Sequence, residues 1–539
     1  MSTTTHASGA RIAAERLSYA LPDGRALFHE LTLSFGRERT GLVGPNGSGK
    51  STLVRLLAGE LAPSSGVVNR GAAVAVLPQD FRPAPDAPLA VVLRIDERLR
   101  ALRRMEAGES TLADLELVDD DWELPERAVA VLARFGLSHL SLDRPVGTVS
   151  GGEATRVALA GLALGRPDFL LLDEPTNHLD AASREALYSF VEGWTGGILC
   201  VSHDRALLRR MDRIVELSSF GVRVYGGDYD AYRERRDLDD AAAEREMESA
   251  RAALRRAERE ARELGERQAR REARGRRERA TANMPKILLN ARKAKAQATG
   301  ARVRAVIERE VEERRERLGA ARSRVEERER PRFELASTGL PAGRTVLELL
   351  DVTVRFPGAD RLVLDGVSLH IVGPERVAVT GPNGSGKSTL LRVATGRLAP
   401  DAGSVRRPSD GDVAFLDQEG VALDPALSVL ENFNAFHPRM DATAARYALA
   451  RFLFSHEAAL QKVGTLSGGQ RLRASLACVL GGEHPPSLLV LDEPTNHLDL
   501  DALEALESAL REYDGALLVV SHDADFLEAI RVERRVATG

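Results

Sequence analysis

Nine residues, GPNGSGKST, occur twice in this 539-residue chain, at 44–52 and at 381–389. Glycines in such a run let the backbone curl until successive N–H groups point at one anion, and the following helix adds its positive end. That chemistry suits the phosphates of a nucleotide. Gly44, Asn46, Gly47, Ser48 and Gly49 would form one cradle, and Gly381, Asn383, Gly384, Ser385 and Gly386 the other. Lys50 and Lys387 would reach the β- and γ-phosphates, while Ser51 and Ser388 would ligate Mg²⁺, with Thr52 and Thr389 beside them.

Each loop begins an ordered series. Gln79, in LPQD, follows Lys50 by 29 residues, and Gln418, in LDQE, follows Lys387 by 31. VSGGE stands at 149–153 and LSGGQ at 466–470. Apolar runs then end in acids, FLLLDEPTNHLD at 169–180 and LLVLDEPTNHLD at 488–499, and VSHD appears at 201–204 and 520–523. The step from the second acid to the histidine is 29 residues in both halves. One motif of this kind is an ordinary turn or a helix cap, but a fixed order at matched spacing is a tandem repeat of one domain.

Residue type assigns the roles. A strand that delivers Asp173 or Asp492 places a carboxylate for Mg²⁺, directly or through water, with Gln79 and Gln418 as further oxygen donors. The adjoining Glu174 and Glu493 would orient and polarise the attacking water, and His203 and His522 would touch the γ-phosphate as switches. Ser150, Gly151 and Gly152, like Ser467, Gly468 and Gly469, offer a hydroxyl and backbone donors at a helix start.

With every motif present twice, the chain resembles the ATP-binding cassette superfamily. The resemblance implies an α/β fold of two P-loop cassettes packed head to tail, so that Lys50 faces Ser467 and Lys387 faces Ser150. It also implies an aromatic stacked on adenine. Phe356, in VRFPG, holds that position in the second half; the aligned residue in the first is Leu21, with Tyr19 two residues earlier. The signatures differ as well, Val149 and Glu153 against Leu466 and Gln470, so the two sites need not turn over equally.

Composition frames the rest. A hydrophobic fraction of 43% is that of a globular protein, and no apolar stretch approaches the roughly 20 residues that span a bilayer. The polar start MSTTTHASGA lacks the apolar core of a secretion signal. The two cysteines, Cys200 and Cys478, have no paired spacing, which argues against zinc or a disulfide framework and for a reducing cytoplasm. Net charge is −5, yet residues 267–304 hold thirteen Lys or Arg against two acids, an excess of +11 that leaves −16 for the remainder. Of six lysines in the chain, Lys286, Lys293 and Lys295 lie here. Such a cluster, without aromatics, suits the phosphate backbone of structured RNA.

That basic stretch lies within a connector. The spacing sets a first cassette at 11–228, a linker at 229–344 with its basic tip at 267–304, and a second cassette at 345–539. Met247, Ala250, Leu254, Ala257, Ala261 and Leu264 recur at steps of three and four, and Ile307, Val311, Leu318, Ala321 and Val325 keep a compatible pattern. We read two long helices packed as an antiparallel hairpin, broken at the tip by Gly275, Pro285 and Gly300. Two cassettes on one chain, a repeated DEPTNHLD and a charged helical connector resemble the ABC-F family. This implies a monomeric cytoplasmic ATPase that engages the ribosome, with rRNA and tRNA met by the tip, as a translation factor or an antibiotic-resistance protein. The 22 extra residues between Gln79 and Ser150, relative to the second half, would form a short arm within 94–127. An ATP-hydrolysing subunit of a transporter and a DNA-handling ATPase are the alternatives.

Overall fold

The computed structural model describes residues 12–79, 83–177, 179–218, 221–281, 305–322, 335–356, 362–409, 412–416, 423–466, 468–496 and 498–538. The chain divides into two compact units, one of Met1–Tyr232 with Pro331–Gly539 and one of Arg233–Arg330. The larger unit thus extends past both expected linker boundaries, for local reasons. Tyr229 and Tyr232 are buried and Tyr232 donates to Glu216 Oε1 at 3.0 Å. On the return, Ser337 Oγ and Thr338 N donate to Asp514 at 2.5 and 2.8 Å.

The first cassette is built on a six-stranded sheet of β1 (Arg39–Val43), β2 (Val74–Leu77), β3 (Phe169–Asp173), β4 (Gly197–Val201), β5 (Arg213–Ser218) and β6 (Gly221–Gly226). Their order is β2-β3-β4-β1-β5-β6, parallel except for the last pair. Every residue of β3 and β4 is buried, which is why these segments read as unbroken apolar runs. Beneath one sheet face pack α1 (Lys50–Ala58) and an antiparallel sheet of Ile12–Ala20, Ala26–Phe35 and Ser65–Arg70. Against the other face pack α2 (Gly151–Gly165), α3 (Ala181–Glu192), α4 (Arg205–Leu208) and a helical subdomain.

The expected arm is part of that subdomain. Helices Asp96–Glu106, Leu112–Val118 and Leu124–Arg134 occupy it, tied by Arg104–Asp114, by Arg98–Asp121 at 2.9 Å and by Arg127 Nη2 to Asp121 Oδ2 at 2.8 Å. Among the described residues the second cassette has two α-helices there, Val429–Phe436 and Ala442–Arg451.

In the smaller unit, α5 (Tyr229–Thr281) is a single 53-residue helix, and 305–322 is helical again. Met247, Ala250, Leu254, Ala257 and Ala261 are half-buried, as are Ile307, Val311 and Leu318, and Ala321 is buried; Leu264 is exposed, and Val325 lies outside the described residues. Arg315 meets Glu258 at 3.8 Å, joining the two helices. Residues 282–304, which carry Lys286, Arg292, Lys293 and Lys295, lie outside the described residues, so only the start of the expected basic tip is described, and as helix.

The second cassette repeats the plan with β7 (Arg376–Thr380), α6 (Lys387–Ala394), β8 (Val413–Leu416), α7 (Gly468–Leu480), β9 (Leu488–Asp492), α8 (Leu500–Glu512), β10 (Ala516–Val520) and β11 (Arg534–Ala537). Its sheet order is β8-β9-β10-β7-β11, all parallel. Among the described residues no helix is long and apolar enough to cross a membrane, and both cysteines are buried and unpaired.

Candidate active sites

Each phosphate loop joins a buried strand to a helix whose first residue is the loop lysine. Gly47 and Gly49 take φ of +81° and +99°, and Gly384 and Gly386 take +80° and +89°, a region that side chains resist. A Cβ on Gly49 would stand 2.7 Å from Phe28 Cζ. Lys50 is buried and donates to the carbonyls of Gly44 and Pro45 at 2.7 and 3.1 Å; Lys387 does the same to Gly381 and Pro382, at 2.8 Å each. Burial pushes both ammonium groups below their ordinary value, opposed by Glu174 and Asp499 at one site and by Glu493 and Asp180 at the other. Ser48 Oγ is buried with no hydrogen-bond partner among the described residues. A curled loop, a buried ammonium and an unspent hydroxyl fit a triphosphate.

Beside each loop a strand ends in its acid pair. Asp173 is buried at the end of β3 and Asp492 closes β9. The next residues, Glu174 and Glu493, have φ of +48° and +46°, pinned by bonds from their own N–H to Val201 O and Val520 O at 2.9 Å. Strained backbone of this kind gathers at functional sites. His203 Nε2 lies 3.3 Å from Glu174 Oε1, and His522 Nε2 lies 3.4 Å from Glu493 Oε1. Burial pushes Glu174 up to about 8 and Glu493 up to about 7; it holds His203 far below its ordinary value and brings His522 down to about 4.

The cassettes meet head to tail. A cavity of about 540 Å³ is lined by Asn46, Gly47, Gly49, Lys50, Ser51, Thr52, Gln79, Glu174 and His203 from the first half and by Gly468, Asn496 and Leu503 from the second. The loop N–H of Asn46 donates to Asp499 Oδ2 at 2.8 Å, and that of Asn383 donates to Asp180. Asp180 and Asp499, which end the two DEPTNHLD runs, also cap α3 and α8. Gly152 and Gly469 are small for packing: a Cβ on either would stand 2.9 Å from Ser183 Oγ or Ala502 Cβ. Gly151 has open space around it. Ser150 caps α2 and exchanges hydrogen bonds with Glu153, its Oγ donating to Oε2 at 2.9 Å and accepting from Glu153 N at 3.2 Å.

Ser467 and Gln418 lie outside the described residues, so their expected places opposite Lys50 and beside Lys387 are not described. Ser388 and Thr389 stand in the first turn of α6, and Phe356 is exposed at the end of its strand. In the first half, Leu21 lines the cavity and Tyr19 packs against the core of its own cassette. The cavity wall there includes Arg25, which sequence reading missed; its position after a Pro-Asp-Gly turn was the available signal.

Sequence reading also missed the charged seam between the halves. Arg205 of α4 and Glu507 of α8 form a buried ion pair, each about 5% exposed. Arg209 Nη1 donates to both oxygens of Asp525, at 3.0 and 2.7 Å, while its Nε reaches Asp230 in the first turn of α5 at 3.1 Å. Arg184 of α3 donates to Asp204 Oδ2 at 3.2 Å, where Tyr188 Oη also donates at 2.7 Å.

Comparison with known proteins agrees with this geometry. A family described as ABC transporter matches residues 29–177 and 364–496. The tylosin resistance ATP-binding protein TlrC of Streptomyces fradiae is 36% identical over 93% of this chain and 92% of that protein. The ATP-binding protein Uup of Escherichia coli (strain K12) is 33% identical over 91% of this chain and 74% of its own length. Among solved structures, an archaeal ribosome recycling factor, aABCE1, crystallised with ribosomal stalk protein aP1, shares the fold, with a TM-score of 0.51 at 19% identity over 96% of this chain and 86% of that one.

Proposed function

Because this chain belongs to the ABC-F family of ATP-binding cassette proteins, we propose that it hydrolyses ATP at two composite sites and uses the cycle to act on the ribosome through its basic linker. The observation that carries the chemistry is, at both sites, a buried loop lysine beside a partly buried glutamate whose carboxylate lies within 3.4 Å of a histidine. Lys50 and Lys387 hold the phosphates, Glu174 and Glu493 orient the attacking water, and His203 and His522 sense the γ-phosphate. Ser51, Gln79 and Asp173, with Ser388, Gln418 and Asp492, are hard oxygen donors that suit Mg²⁺, which when bound neutralises phosphate charge. Asp499 and Asp180 hold each loop against the opposite cassette, which supports the reading that loop and SGG segment sandwich the nucleotide between the two halves of one chain.

The ribosomal role is supported by the excess of +11 in 267–304 and by the antibiotic resistance named for the relative TlrC. A cytoplasmic setting follows from it. We favour displacement of a drug from the ribosome over a housekeeping role, since that relative matches along nearly its whole length. The test uses the full chain with Glu174→Gln and Glu493→Gln, sedimented with ATP against ribosomes, naked RNA and duplex DNA. Selective co-sedimentation with ribosomes is expected, lost when Lys286, Arg292, Lys293 and Lys295 are all changed to Gln. Wild-type chain should also restore a tylosin-inhibited translation extract; rescue of uninhibited, stalled translation alone would favour the housekeeping role.

A further inference from the structure

One wall of the first cavity takes no part in the phosphate chemistry. It comes from the hairpin between Ile12–Ala20 and Ala26–Phe35, which brings Leu21, Arg25 and Leu27 to the lining. The turn is tied by its own residues: Leu21 N donates to Arg25 O at 2.9 Å, Gly24 N to Leu21 O at 2.8 Å, and Arg25 N to Asp23 Oδ1 at 3.0 Å. Residues two apart along an extended segment share a face, so Arg25 and Leu27 meet the cavity together while Phe28 is buried in the cassette core. Leu27 also fixes where the wall stands, because a Cβ on Gly49, the residue before α1, would lie 2.8 Å from Leu27 Cδ2. Arg25 is exposed, and among the described residues its guanidinium has no hydrogen-bond or ion-pair partner.

The two ends of the cavity differ in chemistry. Lys50, Glu174 and His203 mark the end suited to a γ-phosphate. At the hairpin the cation is grouped with two leucines, and an anion set against leucine loses water without gaining a full set of donors. A flat, weakly hydrated guanidinium among apolar groups suits instead the flat face of a nucleotide base. Val363 and Leu364 lie against Gly386 as Leu27 and Phe28 lie against Gly49, a register that sets Arg361, outside the described residues, in the place of Arg25. What distinguishes the first half is therefore the leucine at 21 where the second half has the exposed ring of Phe356.

We propose that Arg25 holds the nucleotide base in the first site, its guanidinium laid on the base face with Leu21 and Leu27 beside it, and so does there the work of a stacked ring. The contact deepens the reading of this cavity as an ATP site and rests on it. It contributes to holding the nucleotide and not to the reaction, because the base is gripped alike before and during phosphoryl transfer.

The test uses the full-length chain with Lys387→Ala, which disables the second phosphate loop, and measures ATP by equilibrium dialysis and its displacement by inorganic tripolyphosphate. Arg25→Ala should raise the Kd for ATP by roughly threefold to thirtyfold, the scale of a cation held over a ring, and leave the inhibition constant of tripolyphosphate unchanged. Arg25→Lys should recover little of the loss, because an ammonium has no plane to lay on a base, and Arg25→Tyr should recover most of it. With Glu493→Gln in place of Lys387→Ala, so that the first site alone turns over, Arg25→Ala should raise KM for ATP with kcat little changed. An equal loss for tripolyphosphate, full recovery by lysine, a fall in kcat at unchanged KM, or no loss at all would overturn the assignment of Arg25 alone. Failure of ATP to bind the Lys387→Ala chain with Arg25 intact would instead remove the parent reading of the cavity as a nucleotide site.

Discussion

Around the phosphate loops the two halves are near copies. Loop glycines agree in φ to within about 10°, the lysines bond to the same two carbonyls, and the acid and histidine stand 3.3 and 3.4 Å apart. Along the seam they are not copies. The first half contributes Arg184, Tyr188 and Arg205 where the second contributes Leu503, Glu507 and Ala524, and the resulting contacts run one way. Duplicated chemistry has been kept while the surface between the copies has become directional. Two first cassettes from separate chains, brought together in the same way, would set Arg205 against Tyr188 and leave the guanidinium without its carboxylate.

The largest effect should come from removing what the halves share. Replacing Glu174 and Glu493 together by Gln is expected to cut ATP turnover by about 10²–10⁴-fold, the usual scale for a lost general base, with nucleotide binding retained. A steady-state phosphate-release assay beside a binding titration checks this. The single replacements are the sharper measurement, because equal residual rates would contradict the inequivalence of the sites.

Next in size is the seam. Arg205→Ala leaves Glu507 buried without its cation and should cost about 3–5 kcal/mol in denaturant unfolding of the cassette pair. Replacing both partners by Met and Leu should recover most of that loss, since neither charge is then stranded.

Adenine recognition separates the halves more modestly. Phe356→Ala should weaken ATP at the second site by about 1–3 kcal/mol if the ring stacks on the base, and Leu21→Tyr should tighten the first site by no more than that. Titrations in chains silenced at one site resolve the two. No change on Leu21→Tyr would indicate that Arg25 already covers the base from the cavity wall.

The smallest expected difference lies in the helical subdomains. Hydrogen bonding to Arg104 holds Asp114 well below the usual carboxylate range, and that to Arg127 lowers Asp121. Carboxylates lowered by folding stabilise above their ordinary pKa of about 3.9, and the contribution is lost as pH falls through the lowered values. Protection from hydrogen exchange, taken relative to the free-chain rate at each pH, should therefore fall across 96–134 below about pH 4 more than across 429–451, where Glu431 at its Ser428 cap is the lowered carboxylate.

What the sequence made legible was whatever is local and repeated. GPNGSGKST, DEPTNHLD and VSHD each place their groups within a few residues of one strand end, so the loops, acids and histidines could be named before any coordinates. The α/β plan followed from the family resemblance those repeated motifs carry, and the unbroken apolar runs of β3 and β9 agree with it. Arg184, Arg205 and Glu507 were illegible for the opposite reason. They matter through partners far away in sequence, 302 residues in the case of Arg205 and Glu507, and at positions where the halves differ, which a search for repeats discards. Arg25 was missed because a hairpin turn, and not spacing, carries it to the cavity. The linker boundaries were set by the spacing of the motifs, which does not register that Tyr229 and Tyr232 are buried with the first cassette.

Arg209 is a single side chain shared by the first cassette, the second cassette and the first turn of α5. At about 1.5 Å per residue that helix is roughly 80 Å long without a break. The side chain that joins the two cassettes is therefore also a bond to the root of one uninterrupted helix, so whatever displaces Asp525 is felt at Asp230 as well.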